Sequence, residues 1–210
     1  MTYLVMLTRM LETLTVKTMP NNNNTCFTPL QRSLAWCQGM PVMPGIRRRL
    51  YYTSKQNIVQ WPAYSTDTGG RYSFATLTGN FTLKTDTYWY YIDILAEKST
   101  LTSEAQGEAP SQTQLNKLTA VHPGVGQEAS AVACYLNNSD NVFLVQDMSG
   151  YWRVVGSRFY ETKTTVAQDN GQGATGTAST TINVEATDVC PSPFYQGTIV
   201  TEDGTVSLTA

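Results

Sequence analysis

The sequence predicts a mainly β fold: a β-sandwich or barrel with one flanking α-helix and long protruding loops. Three observations predict it. Charged residues make up only 14% of the chain, against about 25% in an average globular protein. Polar surface must therefore come from Thr, Ser, Asn and Gln, beside 12 Tyr and 4 Trp, a balance that suits strands and surfaces buried between subunits. Apolar residues alternate with period two in several short runs, such as Ile182, Val184 and Ala186. A clear helical period occurs in one window, Gln127–Asn137. At 210 residues the chain suits one sizeable core, and no linker divides it into halves that could each fold.

The elements follow in order. Residues 1–44 read as an N-terminal arm and 45–210 as a single β-rich domain. Leu4, Leu7, Leu11 and Leu14 share one face of a short helix, and residues 1–18 read either as an N-terminal helix that docks on a neighbour or as an upstream extension preceding a start at Met19, the second being favoured. Pro20, the Asn21–Asn24 run, Pro29, Pro41 and Pro44 make the following stretch irregular, with two helical turns expected over Leu30–Cys37. The first strand is Ile46–Thr53, leading to Asn57–Trp61. Alternation there sets Arg47 and Arg49 opposite Arg48 and Leu50, so the three arginines cannot make one flat basic face, and the strand reads as a sheet edge.

Arg71–Lys84 and Tyr88–Leu95 read as consecutive strands, the second with a run of rings from Tyr88 to Tyr91 expected in the core. Lys98–Gln114 has no apolar period and reads as a protruding arm or long loop. Leu115–Val121 is a strand ended by His122-Pro123-Gly124, and Gln127–Asn137 is the helix. Asn141–Asp147 and Tyr151–Gly156 flank a Met148-Ser149-Gly150 turn, and the first of these strands is apolar on both sides, so both its faces should be covered. Lys163–Thr180 is rich in Gly, Thr and Ala and reads as a stretch ordered only on assembly. A half-buried strand, Thr181–Thr187, a stiff closing turn, Cys190–Tyr195, and a hairpin around Glu202-Asp203-Gly204 complete the chain.

Little in this sequence does chemistry. Net charge is −2, so no strong field recruits nucleic acid or an anionic membrane. The distribution is uneven: residues 1–55 hold seven bases and one acid, a net of +6, and the remainder seven bases and 15 acids, a net of −8. A basic arm beside an acidic body suits head-to-tail pairing of copies, or folding of the arm onto its own body. Cys26, Cys37, Cys134 and Cys190 have no C-x-x-C spacing; Cys134 reads as a buried thiol, and no metal or cofactor is expected. No stretch has the ~20 apolar residues of a membrane span, and Arg9, Glu12 and Lys17 interrupt any signal-peptide core. The sole histidine, His122, lacks a nucleophile motif. Glu104 with Glu108, or Asp86 with Asp93, supplies carboxylates for a glycosidase only if they stand about 5–10 Å apart in a cleft. The reading is therefore a non-enzyme.

The segment TSEAQGEAPSQTQLNKLTAVHPGVGQEASAVACYLNNSDNVFLVQDMSGYWRVVG (Thr102–Gly156) resembles the core of proteins encoded in phages and prophages of gut Bacteroidetes that look like tail-tube subunits. LAWCQGMPVMPGIRRRLYYTSKQNIVQWPA (Leu34–Ala63) and TDVCPSPFYQG (Thr187–Gly197) are also similar to that family. The resemblance implies a small β domain whose copies join sheets edge to edge in hexameric rings, with long loops touching the next ring. Expected partners are further copies, other tail proteins and DNA passing as non-specific cargo, with no membrane; the expected location is the phage tail, assembled in the host cytoplasm. An acidic excess would suit a channel through which DNA slides. By this resemblance the arm Ser99–Gln114 offers Glu104, Gln106, Glu108 and Gln112 as contacts between subunits, and the loop Thr164–Thr180 offers Asn170 and Gln172. Arg47 and Arg49 complete the set. Other readings are a connector, decoration or baseplate protein, a carbohydrate-binding domain using Trp89, Tyr91 and Trp152, and a hydrolase using Glu104 or Glu108.

Overall fold

A computed structural model describes residues 33–66 and 72–207. Among the described residues the fold is mainly β with a single α-helix, and no sheet closes into a barrel. The central sheet has seven strands: β1 (Ile46–Ser54), β3 (Ala63–Thr66), β4 (Tyr72–Thr78), β6 (Tyr90–Asp93), β9 (Asn141–Asp147), β10 (Trp152–Val155) and β13 (Phe194–Tyr195). Their order is β3-β4-β13-β10-β9-β1-β6, antiparallel except where β13 runs parallel to β4. β9 is its spine: Asn141 to Val145 are all fully buried, with Phe143 and Val145 in one apolar cluster and Val142 and Leu144 in the other. Both faces of this strand are covered, as its continuous apolar run requires.

One face packs on an outer four-stranded sheet, β11 (Thr162–Asp169), β12 (Ser179–Asp188), β8 (Thr113–Pro123) and β7 (Thr100–Gln106), antiparallel in that order. Leu118, Ala120, Ile182, Val184 and Ala186 meet Leu50, Ile92, Phe143 and Val155 there. The other face is covered by β2 (Ile58–Gln60) with β5 (Thr82–Leu83), and by the hairpin of β14 (Thr198–Thr201) and β15 (Gly204–Ser207). Its aromatic centre is Phe81, with ring centroids 5.1–5.3 Å from Tyr195, Trp89 and Trp61.

Helix α1 spans Gln127–Asn137, where the 3.6-residue period places it. Glu128 sits in its positively polarised first turn. At the other end Asn138 Nδ2 and Ser139 Oγ donate to the carbonyls of Cys134 and Tyr135, at 3.0 and 2.7 Å, satisfying groups the helix itself leaves open. Ala133 and Leu136 are its buried residues, whereas Tyr135 and Cys134 are exposed, so the thiol expected in the core is at the surface.

Several expectations are corrected. Residues 33–37 carry no helix; Leu34 is 101% exposed, and the turn lies at Gln38-Gly39. The rest of the expected Leu30–Cys37 helix, the N-terminal leucine face and Cys26 lie outside the described residues. β1 is not an edge: β9 and β6 pair with it on either side. Its register against β9 breaks between Ile46 and Leu50, and Arg47, Arg48 and Arg49 in that stretch are all exposed. The expected Arg71–Lys84 strand is broken into β4 and β5 around Gly79, whose φ is +92°.

The two stretches read as loops are mostly strands. Lys98–Gln114 contains β7 and the first residues of β8, and Lys163–Thr180 contains most of β11 and the start of β12. Only 107–112 and 170–178 remain as connections, the latter holding a 3-10 turn at Gly173–Thr175.

Candidate functional site

The outer sheet and its two end loops hold six of the eight residues expected at contacts between subunits. β7 forms one edge and β11 the other. These edges differ. On β11, the amides of Thr162 and Val166 donate to Asp140 Oδ1 at 2.9 Å and Asn137 Oδ1 at 2.7 Å, so the end of α1 and the loop after it guard that edge. Among the described residues β7 pairs with β8 alone, and five of its seven residues are exposed. No Lys or Pro occupies it, and its one charged side chain, Glu104, is paired with Lys117 of β8.

The two connections leave the sheet at opposite ends. Gln106 pairs with Thr113 at the end where Gln114 meets Asp188, so loop 107–112 projects there. Ser179 pairs with Pro123 at the other end, where loop 170–178 projects. β8 between them has eleven residues, a span of about 35 Å.

Of the predicted contact residues, Glu108 and Gln112 are exposed on the first loop and Asn170 and Gln172 on the second. The second loop is compact: Gly171 N–H donates to Asp169 Oδ1 at 2.9 Å, and a Cβ on Gly176 would collide with the backbone of Gln172. Glu104 is engaged within the chain, accepting from Lys117 Nζ at 2.9 Å. Gln106 donates to Thr113 and Thr187 hydroxyls at 3.1 and 2.9 Å, so its amide belongs to the hairpin rather than to a partner. Arg49 makes a bidentate pair with Asp93 at 2.7 and 3.0 Å and lies 4.0 Å over the Tyr91 ring. That pairing raises its already high pKa further. Arg47 is exposed and reaches over the β9–β10 turn at Gly150.

Beyond the open edge of β7 lies a feature the sequence did not signal. A gap of about 470 Å³ opens between β7 and the central sheet, walled by Thr100, Leu101, Ser103, Ile46, Asp147 and Arg153. Arg153 is held there by Ser192 O at 3.2 Å and Asp147 at 3.7 Å, with its guanidinium 3.6 Å over Phe194. Gly45, the root of the N-terminal arm, also lines this gap. The arm itself stands in solvent: Leu34, Trp36, Met40, Val42 and Met43 are between 58% and 101% exposed.

The ring platform proposed from sequence does not exist as such. Trp89 and Trp152 are 2% and 9% exposed, both in the aromatic cluster, and only Tyr91 is at the surface. A different cavity, about 310 Å³, is lined by Trp61, Tyr64, Phe159, Arg158 and the buried Asp188. There Asp188 Oδ1 accepts from Tyr64 Oη at 3.1 Å, Val189 N at 2.7 Å and Ser157 Oγ at 3.4 Å. Burial raises its pKa, although these donors pull the other way. Cys190 next to it donates to the Phe74 carbonyl at 2.6 Å, and burial pushes its thiol up to about 12.

Among the described residues no three His, Cys, Asp or Glu side chains converge as a metal site. His122 Nδ1 is 2.7 Å from the Asp93 carbonyl, tying the outer sheet to β6. No helix of the described residues is long and apolar enough to cross a membrane. No family model, curated protein or solved structure matches the chain.

Proposed function

We propose that this chain is a structural protein of a bacteriophage virion, a tail-tube subunit whose copies assemble into stacked rings around a channel for DNA. The observation that carries the reading is the layout of the outer sheet. It offers an unguarded lateral edge at β7 and exposed loops, 107–112 and 170–178, at its opposite ends. Lateral contacts through the edge join copies within a ring, and the loops meet the rings above and below. Identical head-to-tail contacts close into a ring when the rotation between copies is right; six copies is the number the resemblance implies. The other tail proteins are the further partners, and the assembled tail is the site of action.

The outward face of this sheet suits a channel wall in a way the bulk charge did not suggest. Lys163, Glu185 and Lys117 are successive cross-strand partners of alternating sign, and Thr119 and Asn183 pair beside them. The acidic excess of the body is not concentrated here. Such a mixed wall neither gathers bases to hold phosphates nor repels them strongly.

The test is negative-stain electron microscopy of the purified chain together with its mass in solution. Rings or tubes with a central hole support the reading. A monomer at every concentration, alone and with tail-initiating proteins, overturns it. A glycan-binding β domain is the second reading, and the aromatic cavity at Trp61, Tyr64 and Phe159 is the observation in its favour; glycan-array binding lost on Trp61→Ala would select it.

A further inference from the structure

The open edge of β7 and the exposed arm are complementary, and we infer that residues 34–43 of one copy add as a fifth strand beside β7 of a second copy, their apolar side chains filling the gap beneath it. The inference rests on the proposed self-assembly for its premise that copies meet, and it names what occupies the lateral edge.

Four observations converge. Leu34, Trp36, Met40 and Val42 fall on alternate positions, the period of a strand with one apolar face once docking straightens the turn at Gln38-Gly39 and releases the Met40 N–H from the Cys37 carbonyl, 3.3 Å away in the isolated chain. All four are at least 68% exposed in the isolated chain. Pro41 and Pro44 restrict the residues before them to extended backbone, which favours the arm as a strand. Pro41 is at an odd position and Pro44 lies beyond the segment, so neither removes an even-numbered amide of residues 34–43 from pairing with the edge.

The gap is the matching half. Its volume of about 470 Å³ accommodates several large side chains, and it opens where the four-stranded sheet stops short of covering its seven-stranded neighbour. A fifth strand completes that cover. Within the outer sheet the opposite edge offers no equivalent open partner, because α1 and the loop after it guard β11. Strand addition supplies main-chain hydrogen bonds for affinity and alternate side-chain pockets for specificity.

Direction and charge agree. Every pair in the outer sheet is antiparallel, and an arm added in the same sense brings its basic N-terminal side towards Glu104 and Glu108. The arm, residues 1–44, carries Arg9, Lys17 and Arg32 against Glu12, a net of +2, and residues 45–210 a net of −4, so arm and host body attract at low salt. A standard interface takes about 800 Å² from each partner, and a ten-residue strand bearing five exposed large apolar side chains supplies area of that order. A second copy is the occupant because the chain's own arm, although rooted at the gap through Gly45, leaves these side chains in solvent.

The test is disulfide trapping in the full-length chain. Cys26→Ser and Cys134→Ser leave Cys37 on the arm as the accessible native thiol, and Thr102→Cys or, separately, Glu104→Cys places one on β7. Mild oxidation is expected to give dimers and a ladder of higher multimers linked between position 37 and β7, identified by peptide mass. Lys163→Cys on β11 is the control and should link at least tenfold less. Leu34→Ser with Trp36→Ser should raise the concentration needed for assembly at least tenfold while leaving the circular dichroism unchanged. A 37-to-β7 link within single chains overturns the second-copy assignment. Rings in the microscope without that link, or with equal linking at position 163, overturn this inference and leave the assembly reading standing. A monomer that neither links nor forms rings overturns both.

Discussion

Tyr64 on edge strand β3 donates its hydroxyl to Asp188 at the end of β12, 3.1 Å away across 124 residues of chain. This bond ties the central sheet to the outer one, around a carboxylate only 2% exposed. Tyr64→Phe leaves Asp188 Oδ1 with Val189 N–H and the longer Ser157 contact. The expected loss is about 1–3 kcal/mol, the usual consequence of removing a donor from a buried charged acceptor, read from urea unfolding at neutral pH.

The same carboxylate predicts a pH dependence. Burial raises the Asp188 pKa above its ordinary 3.8, so at intermediate pH the folded state holds a proton that the unfolded chain has released. This contribution to stability is greatest at acid pH, and it falls as pH rises from 3.8 through the raised folded value. Asp188→Asn can still accept from Tyr64 and Val189, and should remove that decline, leaving neutral-pH stability equal or higher. Melting temperatures of both proteins across this range decide it; a variant less stable than the parent at every pH would contradict the assignment.

The cysteines should react in two classes. Cys37 and Cys134 are exposed, whereas Cys190 is 6% exposed with its thiol pushed up to about 12. Since the thiolate is the reacting species, maleimide labelling followed by mass spectrometry should modify Cys37 and Cys134 in the native protein. Cys190 should label only after denaturation.

Trp89 and Tyr91 are neighbours with opposite roles. Trp89→Ala removes a buried ring packed on Phe81 in the aromatic cluster and should destabilise by about 3–5 kcal/mol. Tyr91→Ala removes a half-exposed ring under Arg49 and should change stability by about 1 kcal/mol or less. Equal losses for the two would show that Trp89 is not held as described.

Gly156 closes the β9–β10 unit with φ of +138°, and a Cβ there would meet Val142 at 3.2 Å. Gly156→Ala is expected to destabilise by more than about 1 kcal/mol, since both the backbone region and the space disfavour a side chain. Thermal unfolding beside Gly39→Ala, whose surroundings are open although its φ is also positive, separates crowding from backbone strain.

The legible parts of this chain were those whose apolar residues carry a period. Gln127–Asn137 and the hairpin of Asn141–Asp147 with Trp152–Val155 form where the pattern put them. β7 and β11 did not show themselves, for a physical reason. In β7 only Leu101 is a large apolar residue, and in β11 Thr162 and Thr164 are the buried positions, so hydroxyls stand where a core strand would carry aliphatics. A strand at the margin of a sheet is fixed by its neighbour's backbone, which leaves little trace in its own composition. The exposed loop residues Glu108, Gln112, Asn170 and Gln172 were found. The gap under β7 was not, because it arises from a mismatch in the number of strands between two sheets.

β9 has a consequence for how such a protein can change. Its residues 141–145 are sealed on both sides, and every substitution there disturbs one apolar cluster or the other. Variation that alters assembly without harming the fold is therefore channelled to the outer sheet. There β7 and β11 keep most of their positions in solvent, and the exposed loops 107–112 and 170–178 leave the sheet at its two ends. The molecule separates a conserved-by-necessity spine from a surface on which new neighbours can be tried.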